Sequence, residues 1–205
     1  MLGNDANLAA LGEYRFGAGQ GHHDLMYLTI STGIGGGVIV RDKLMLGAWG
    51  LAAELGHVTI DPNGPRCGCG HLGHLEAYSS GTAIAAYVLV ELLRGVPSAL
   101  STDPPPTTVE IAAAAEAGDP LSLEAFARAG KYLGIGLGNY LHIFNPSIVI
   151  FGGGVSRSGT LLFDPMKACL AGEVLSSAYI QNLIITTAAL GDDAGLLGAL
   201  ALIRP

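Results

Sequence analysis

The chain has 205 residues, half of them hydrophobic, and a formal net charge of −7. Its ten Lys and Arg are scattered and form no basic stripe, which excludes a surface built to neutralise a nucleic-acid backbone. No apolar run reaches the ~18–20 residues of a membrane-spanning helix, and three cysteines are too few for a disulfide scaffold.

The opening, MLGNDANLAALGE, carries acids early and no basic segment, so it does not read as a signal peptide, and the expected compartment is the cytoplasm. Residues 5–14 read as a helix with Asn4 or Asp5 near its N-cap. Residues 17–24 are a loop, 25–31 a strand, STGIGGG a glycine turn and 38–40 a second strand. A tight turn at Arg41-Asp42-Lys43 leads to a short third strand at 44–46, which completes a meander. Residues 47–66 are irregular. Helix resumes over about 75–94, and the proline-rich 95–108 is a loop. Helices follow over 108–117 and from Asp119-Pro120 to about 144, where Asn145-Pro146 ends the pattern. Residues 147–151 are a buried strand running into GGGVS, 160–171 a helix, 182–187 a strand and 193–203 a last helix. No internal repeat is detectable. Strands alternating with helices after a meander predict an α/β domain.

The 31 glycines cluster at Gly33–Gly37, Gly134–Gly138 and Gly152–Gly154. Such clusters beside strands predict backbone that approaches a ligand or another chain closely. Cys169, in an Ala/Leu-rich stretch, reads as a small buried hydrophobe.

The most chemically specific stretch is HVTIDPNGPRCGCGHLGHLE, residues 57–76. It sets His57, Cys67, Cys69 and His74 in H-x9-C-x-C-x4-H order, with Glu54 and Glu76 at either end. Two thiolates and two imidazoles fill a tetrahedral zinc site, and closing all four positions makes such a metal structural. The flanking carboxylates are then free for a ligand.

Three features in order carry a family resemblance: N-D-A-N-x-A-A-L-G-E at the start, T-G-x-G-G-G after a strand, and E-L-G-H followed by C-x-C-G-x-x-G-x-L-E. The chain resembles the ROK family of sugar kinases and repressors, most closely its glucokinase branch. The resemblance implies an actin-like, hexokinase (ribonuclease H-like) sugar kinase lobe with a zinc-clamped loop. It implies phosphorylation of a hexose, with glucose to glucose 6-phosphate as the expected reaction, using ATP, Mg2+ and a structural Zn2+, in a homodimer. By the same resemblance Asp5 is the catalytic base and Asn4, Glu54, His57 and Glu76 hold sugar hydroxyls. Thr32, Gly33 and Gly35 match a phosphate-binding turn, and Gly153 and Gly154 an adenosine-side turn. His57, Cys67, Cys69 and His74 match the metal ligands. The family usually has cysteine at the position of His74, and His71 stands nearby as a competing ligand.

The residues agree with that reading on physical grounds. Phosphoryl transfer needs a base beside the attacking hydroxyl, and a carboxylate at a helix start supplies one. As a cap, Asp5 would instead only satisfy helix N–H groups. Backbone N–H groups in STGIGGG can line a phosphate, with the Thr32 hydroxyl beside them; a plain glycine-rich hairpin is the alternative.

The family's D-x-G-x-T phosphate loop has no match here. The expectation is therefore a single C-terminal lobe, 1–205, in which 1–24 closes an absent N-terminal lobe and 25–205 is the main domain. Leu2-Gly3 would end a strand, and about 100 residues, a domain's worth, would precede Met1. The last helix would then expose Leu196, Leu197, Leu200 and Ile203. The alternative function is the sugar-sensing domain of a ROK transcriptional repressor.

Overall fold

A computed structural model describes residues 4–203, so the strand end expected at Leu2-Gly3 lies outside the described residues. Helix α1 (Asp5–Phe16) precedes three strands, β1 (Leu25–Ile30), β2 (Ile34–Val40) and β3 (Lys43–Leu44). Four helices follow: α2 (Glu76–Ser79), α3 (Gly81–Leu93), α4 (Thr108–Glu116) and α5 (Pro120–Phe144). The chain closes with β4 (Ile148–Gly152), α6 (Thr160–Glu173), β5 (Ile184–Thr187) and α7 (Ala194–Ile203). The sheet order is β3-β2-β1-β4-β5. β2 is antiparallel to β1 and β3, whereas β4 is parallel to β1 and β5, so the sheet is mixed.

The continuous apolar run of β4 is buried on both faces because helices cover both sides of the sheet. On one face Met26, Leu28, Val149 and Phe151 pack with α3, α4, α5 and α6. On the other, Leu25, Tyr27, Ile148 and Ile150 meet Ala9 and Ala10 of α1 and Ala194 of α7. No helix among the described residues is long and apolar enough to cross a membrane.

The glycine clusters serve this packing more than ligands. Gly35, Gly36 and Gly37 are not a turn but lie inside β2, paired with Thr29, Leu28 and Tyr27. A side chain on Gly37 would strike Ala10, and one on Gly36 would strike Leu55, because α1 and residues 53–57 lie flat on the two faces of that strand. Gly130, Gly134 and Gly138 form an i, i+4, i+8 stripe that lets the backbone of α6 sit against α5. The neighbour that the second cluster admits is thus a helix of the same chain.

The helix expected over 75–94 is two helices. Ser80 is extended (φ −75°, ψ 162°) and caps α3 by accepting from Ala83 N at 3.2 Å. The break allows Gly81 N to donate to Ser31 O at 2.7 Å, fastening the start of α3 to the end of β1. β3 is also shorter and one residue earlier than expected. At the C-terminus Leu196, Leu200 and Ile203 are exposed and Leu197 is half-buried.

Candidate functional site

The site is assembled where β1 ends and α1 begins. Asn4, not Asp5, is the N-cap: its Oδ1 accepts from Ala6 N at 2.9 Å and Asn7 N at 3.4 Å. Asp5 is the first helical residue, exposed, with Oδ1 on Ala6 N at 2.7 Å. Its carboxylate therefore sits in the positive end of the helix dipole with solvent access. Asn4 Nδ2 donates to Glu54 Oε1 at 3.4 Å, so two of the expected sugar-binding side chains are in contact.

Glu54 begins a short 3-10 turn, Leu55–His57, held against β2 because Gly56 leaves room for Ile34. The buried Tyr140 hydroxyl of α5 donates to Leu55 O and braces the turn from below. Ala53, just before Glu54, has φ +68°, a left-handed conformation that costs a residue with a Cβ.

Glu76 links the two halves of the site. Its Oε2 accepts from Ile34 N at 2.9 Å, and the Cys67 thiol donates to its Oε1 at 3.2 Å. A side chain on Gly33 would collide with this carboxylate, so the β1–β2 turn and Glu76 are fitted to each other.

Ligand atoms of His57, Cys67, Cys69 and His74 all lie within 4.8 Å of one another. A tetrahedral zinc with bonds of about 2.0–2.3 Å spaces its ligand atoms about 3.3–3.8 Å apart, so a small inward adjustment suffices. Cys69 Sγ is 3.2 Å from His74 Nδ1, and Cys67 Sγ is 3.8 Å from His57 Nδ1. His71 is near as well, its Nδ1 3.7 Å from Cys69 Sγ and its ring stacked on His74, but it is outside the mutually close four.

The ionisation states suit a cation. The backbone N–H of His71 is the main cause that lowers the Cys69 thiol to about 7. Burial lowers His74 below its ordinary value, keeping the imidazole neutral, as a metal ligand must be. Burial pushes Cys67 up to about 11, so this thiol ionises at neutral pH only beside a cation.

The loop is held at both ends by backbone bonds, Cys67 N to His71 O at 2.8 Å and Leu75 N to Val58 O at 3.0 Å. Tyr78 Oη donates to Asp61 Oδ2 at 2.8 Å while its ring stacks on Tyr132 at 3.7 Å.

Beyond the β1–β2 turn lies a cavity of about 750 Å3 whose lining includes Thr32, Thr82, Thr108, Gly154 and Arg157. It has the size of a small-molecule site and lies at the carboxyl ends of β1 and β4, where open α/β sheets bind ligands. The first residues of α3 and α4 and Arg157 line part of it, which suits an anion there, while Glu116 and apolar side chains such as Val109 and Val155 line the rest. Thr82 Oγ1 donates to Thr32 O at 2.7 Å, and Thr108 Oγ1 to Gly81 O at 2.7 Å.

Of the expected nucleotide residues, Thr32 and Gly154 line this cavity. Gly153 lines a neighbouring one of about 580 Å3, and Gly33 and Gly35 line neither. Thr82, Thr108 and Arg157 were not foreseen. The caps Ser80 and Thr107 were the available signal, since each marks a helix start whose next residues point into the cavity.

The ROK family pattern matches residues 1–205. The chain is 40% identical to a glucokinase of Thermotoga maritima across its whole length, spanning 65% of that protein. It is 37% identical to the xylose repressor of Bacillus subtilis over 97% of this chain and 48% of the repressor. Among solved structures, a ROK family glucokinase of Streptomyces griseus in complex with glucose and AMPPNP superposes with a TM-score of 0.87 at 39% identity. That match covers 98% of this chain and 67% of the other. A ROK family transcriptional regulator, a homologue of the Escherichia coli MLC protein, also gives 0.87, at 32% identity over 98% of this chain and 50% of the regulator. The mixed sheet and its flanking helices are those of ROK sugar kinase structures, and with a family match over its full length the chain belongs to the ROK family.

Proposed function

We propose that this chain is the sugar- and nucleotide-binding lobe of an ATP-dependent hexose kinase, with glucose as the first candidate substrate and glucose 6-phosphate as product. The observation that carries the reading is the meeting of Asp5, Asn4 and Glu54 at one end of α1, beside a turn that also borders an anion-suited cavity. The similarity to a glucokinase that binds glucose and AMPPNP supports it.

Asp5 takes the proton of the acceptor hydroxyl. The hydroxyl oxygen then bonds to the γ-phosphorus as the bond to the β-phosphate oxygen breaks, releasing ADP. Asn4, Glu54, His57 and Glu76 hold the other hydroxyls. Because His57 Nδ1 faces Cys67, its Nε2 remains for the sugar, with the tautomer fixed by that first contact. Thr32, Gly33, Gly35, Gly153 and Gly154 form or support the nucleotide side, where ATP arrives with Mg2+. His57, Cys67, Cys69 and His74 hold Zn2+, whose charge stabilises two thiolates and so fixes the loop that carries Glu76.

A second reading, the sugar-responsive domain of a repressor, is favoured by the equal TM-score of the ROK regulator. The test is ADP release coupled to NADH oxidation over a panel of hexoses, run on this chain and on a version extended upstream in the genome, with calorimetric sugar titration in parallel. The kinase reading expects turnover, a fall of about 100-fold or more in kcat for Asp5→Asn, and hexose affinity nearly unchanged. Sugar binding without turnover in either form would refute it in favour of the sensor.

A further inference from the structure

The segment that delivers Glu54 carries a feature the catalytic reading does not use. Residues 46–52 form a small closed loop, its ends joined by Ala52 N donating to Leu46 O at 3.2 Å. At its tip Trp49 is 88% exposed, with Leu51 beside it at 73%. Trp49 is the chain's one tryptophan. Among the described residues the indole presents a large apolar surface that is free to make a contact.

The loop is joined to the rest of the chain through residues in left-handed backbone conformations. Gly47 and Gly50 lie on either side of Trp49 with φ of +71° and +74°, and a side chain on Gly50 would meet open space. Ala53, at φ +68°, joins the loop to Glu54. Strain at such a joint is a common companion of a ligand clamp. Trp49 stands five positions before Glu54, so the two Cα atoms stay within about 17 Å of each other even at full extension.

A pyranose presents hydroxyls at its rim and C–H groups on its faces. Asn4, Glu54, His57 and Glu76 present hydrogen-bonding groups that suit the rim, and none carries an extended apolar ring for a C–H face. An aromatic ring that swings onto the sugar supplies what this set lacks.

We infer that Trp49 is a specificity-determining contact, an indole lid that closes over one face of the hexose held at Asn4 and Glu54. The inference rests on the hexose reading above.

The single tryptophan makes the test direct, because all indole emission comes from residue 49. The intact chain is titrated with glucose, mannose, fructose and N-acetylglucosamine, each followed by calorimetry and by fluorescence. A sugar that binds in the calorimeter is expected to shift the emission to the blue and shield it from acrylamide. Trp49→Ala is expected to raise Kd about tenfold and narrow the spread of Kd among hexoses, while Trp49→Phe keeps most of the affinity. Circular dichroism matching the parent shows that both variants fold.

Calorimetric binding with unchanged emission, and Trp49→Ala within about twofold of the parent, overturns the lid and leaves the hexose site standing. An emission shift that tracks protein concentration without sugar assigns the indole to a second copy and also overturns it. Absence of calorimetric binding removes the hexose reading, and the lid with it.

Discussion

Replacing Glu13 with Gln tests how the helix that presents Asp5 is fastened to the rest of the lobe. Glu13 is fully buried in α1; its Oε2 accepts from Ala18 N and its Oε1 from Leu190 N, both at 2.8 Å. One carboxylate thereby ties the end of α1 to the segment between β5 and α7. An amide of equal size keeps one acceptor and turns the other into an NH2 facing a backbone N–H. The charge-assisted bond that is lost is worth about 1.5–3 kcal/mol, and a stranded buried N–H costs about 1–3 kcal/mol. The two figures describe the same group, so the expected loss is about 2–3 kcal/mol rather than their sum. For a chain of this length, 2 kcal/mol lowers Tm by about 4–8 °C. Urea unfolding followed by far-ultraviolet circular dichroism should show a lower midpoint with an unchanged slope. Amide exchange should accelerate in α1 and α7 before it does in α5 and α6. A variant within about 0.5 kcal/mol of the parent would refute the clamp.

Other expectations follow from the same geometry. Ala53→Gly relieves a left-handed alanine costing about 1–2 kcal/mol but adds about 0.4–1 kcal/mol of unfolded-state entropy, for a net gain near 0.5–1 kcal/mol in urea unfolding; a loss of stability would show that the joint is not strained. The purified chain should contain one equivalent of zinc by elemental analysis, lost in Cys67→Ser. Chelation should speed amide exchange over residues 58–75 while α5 stays protected, and unchanged zinc content in the variant would sink the assignment. Burial alone would raise the Asp119 carboxyl, but bonds from Ser122, Ala99 and Ser98 hold it below the usual carboxylate value. The unfolded chain therefore binds the proton more readily. This stabilisation is complete above the unfolded value near pH 3.8 and disappears as pH falls through the lower folded value. Asp119→Asn should lack that part of the acid-side slope, and a slope identical to the parent's would refute it.

The sequence by itself determined the α/β class, most element positions, the metal-type spacing of His57, Cys67, Cys69 and His74, and the family. These are local signals: apolar period, Gly and Pro punctuation, and residue types at fixed intervals. The four donors do come together, because two backbone-bonded turns fold the loop between Thr59 and His74 back on itself. Other features depended on partners far along the chain, which no local window contains. Gly35–Gly37 read as a turn, yet they lie in a strand because α1 and Leu55 crowd its two faces. The 75–94 helix broke at Ser80 because Ser31 O, nearly fifty residues away in sequence, takes the Gly81 N–H. Asn4 and Glu54 carry no mutual signal in sequence, and only the packing of α1 beside the 53–57 turn brings them into contact. Thr82, Thr108 and Arg157 reached the cavity for the same reason: the sheet gathers strand ends and helix starts at one edge, and that gathering is a property of the tertiary fold.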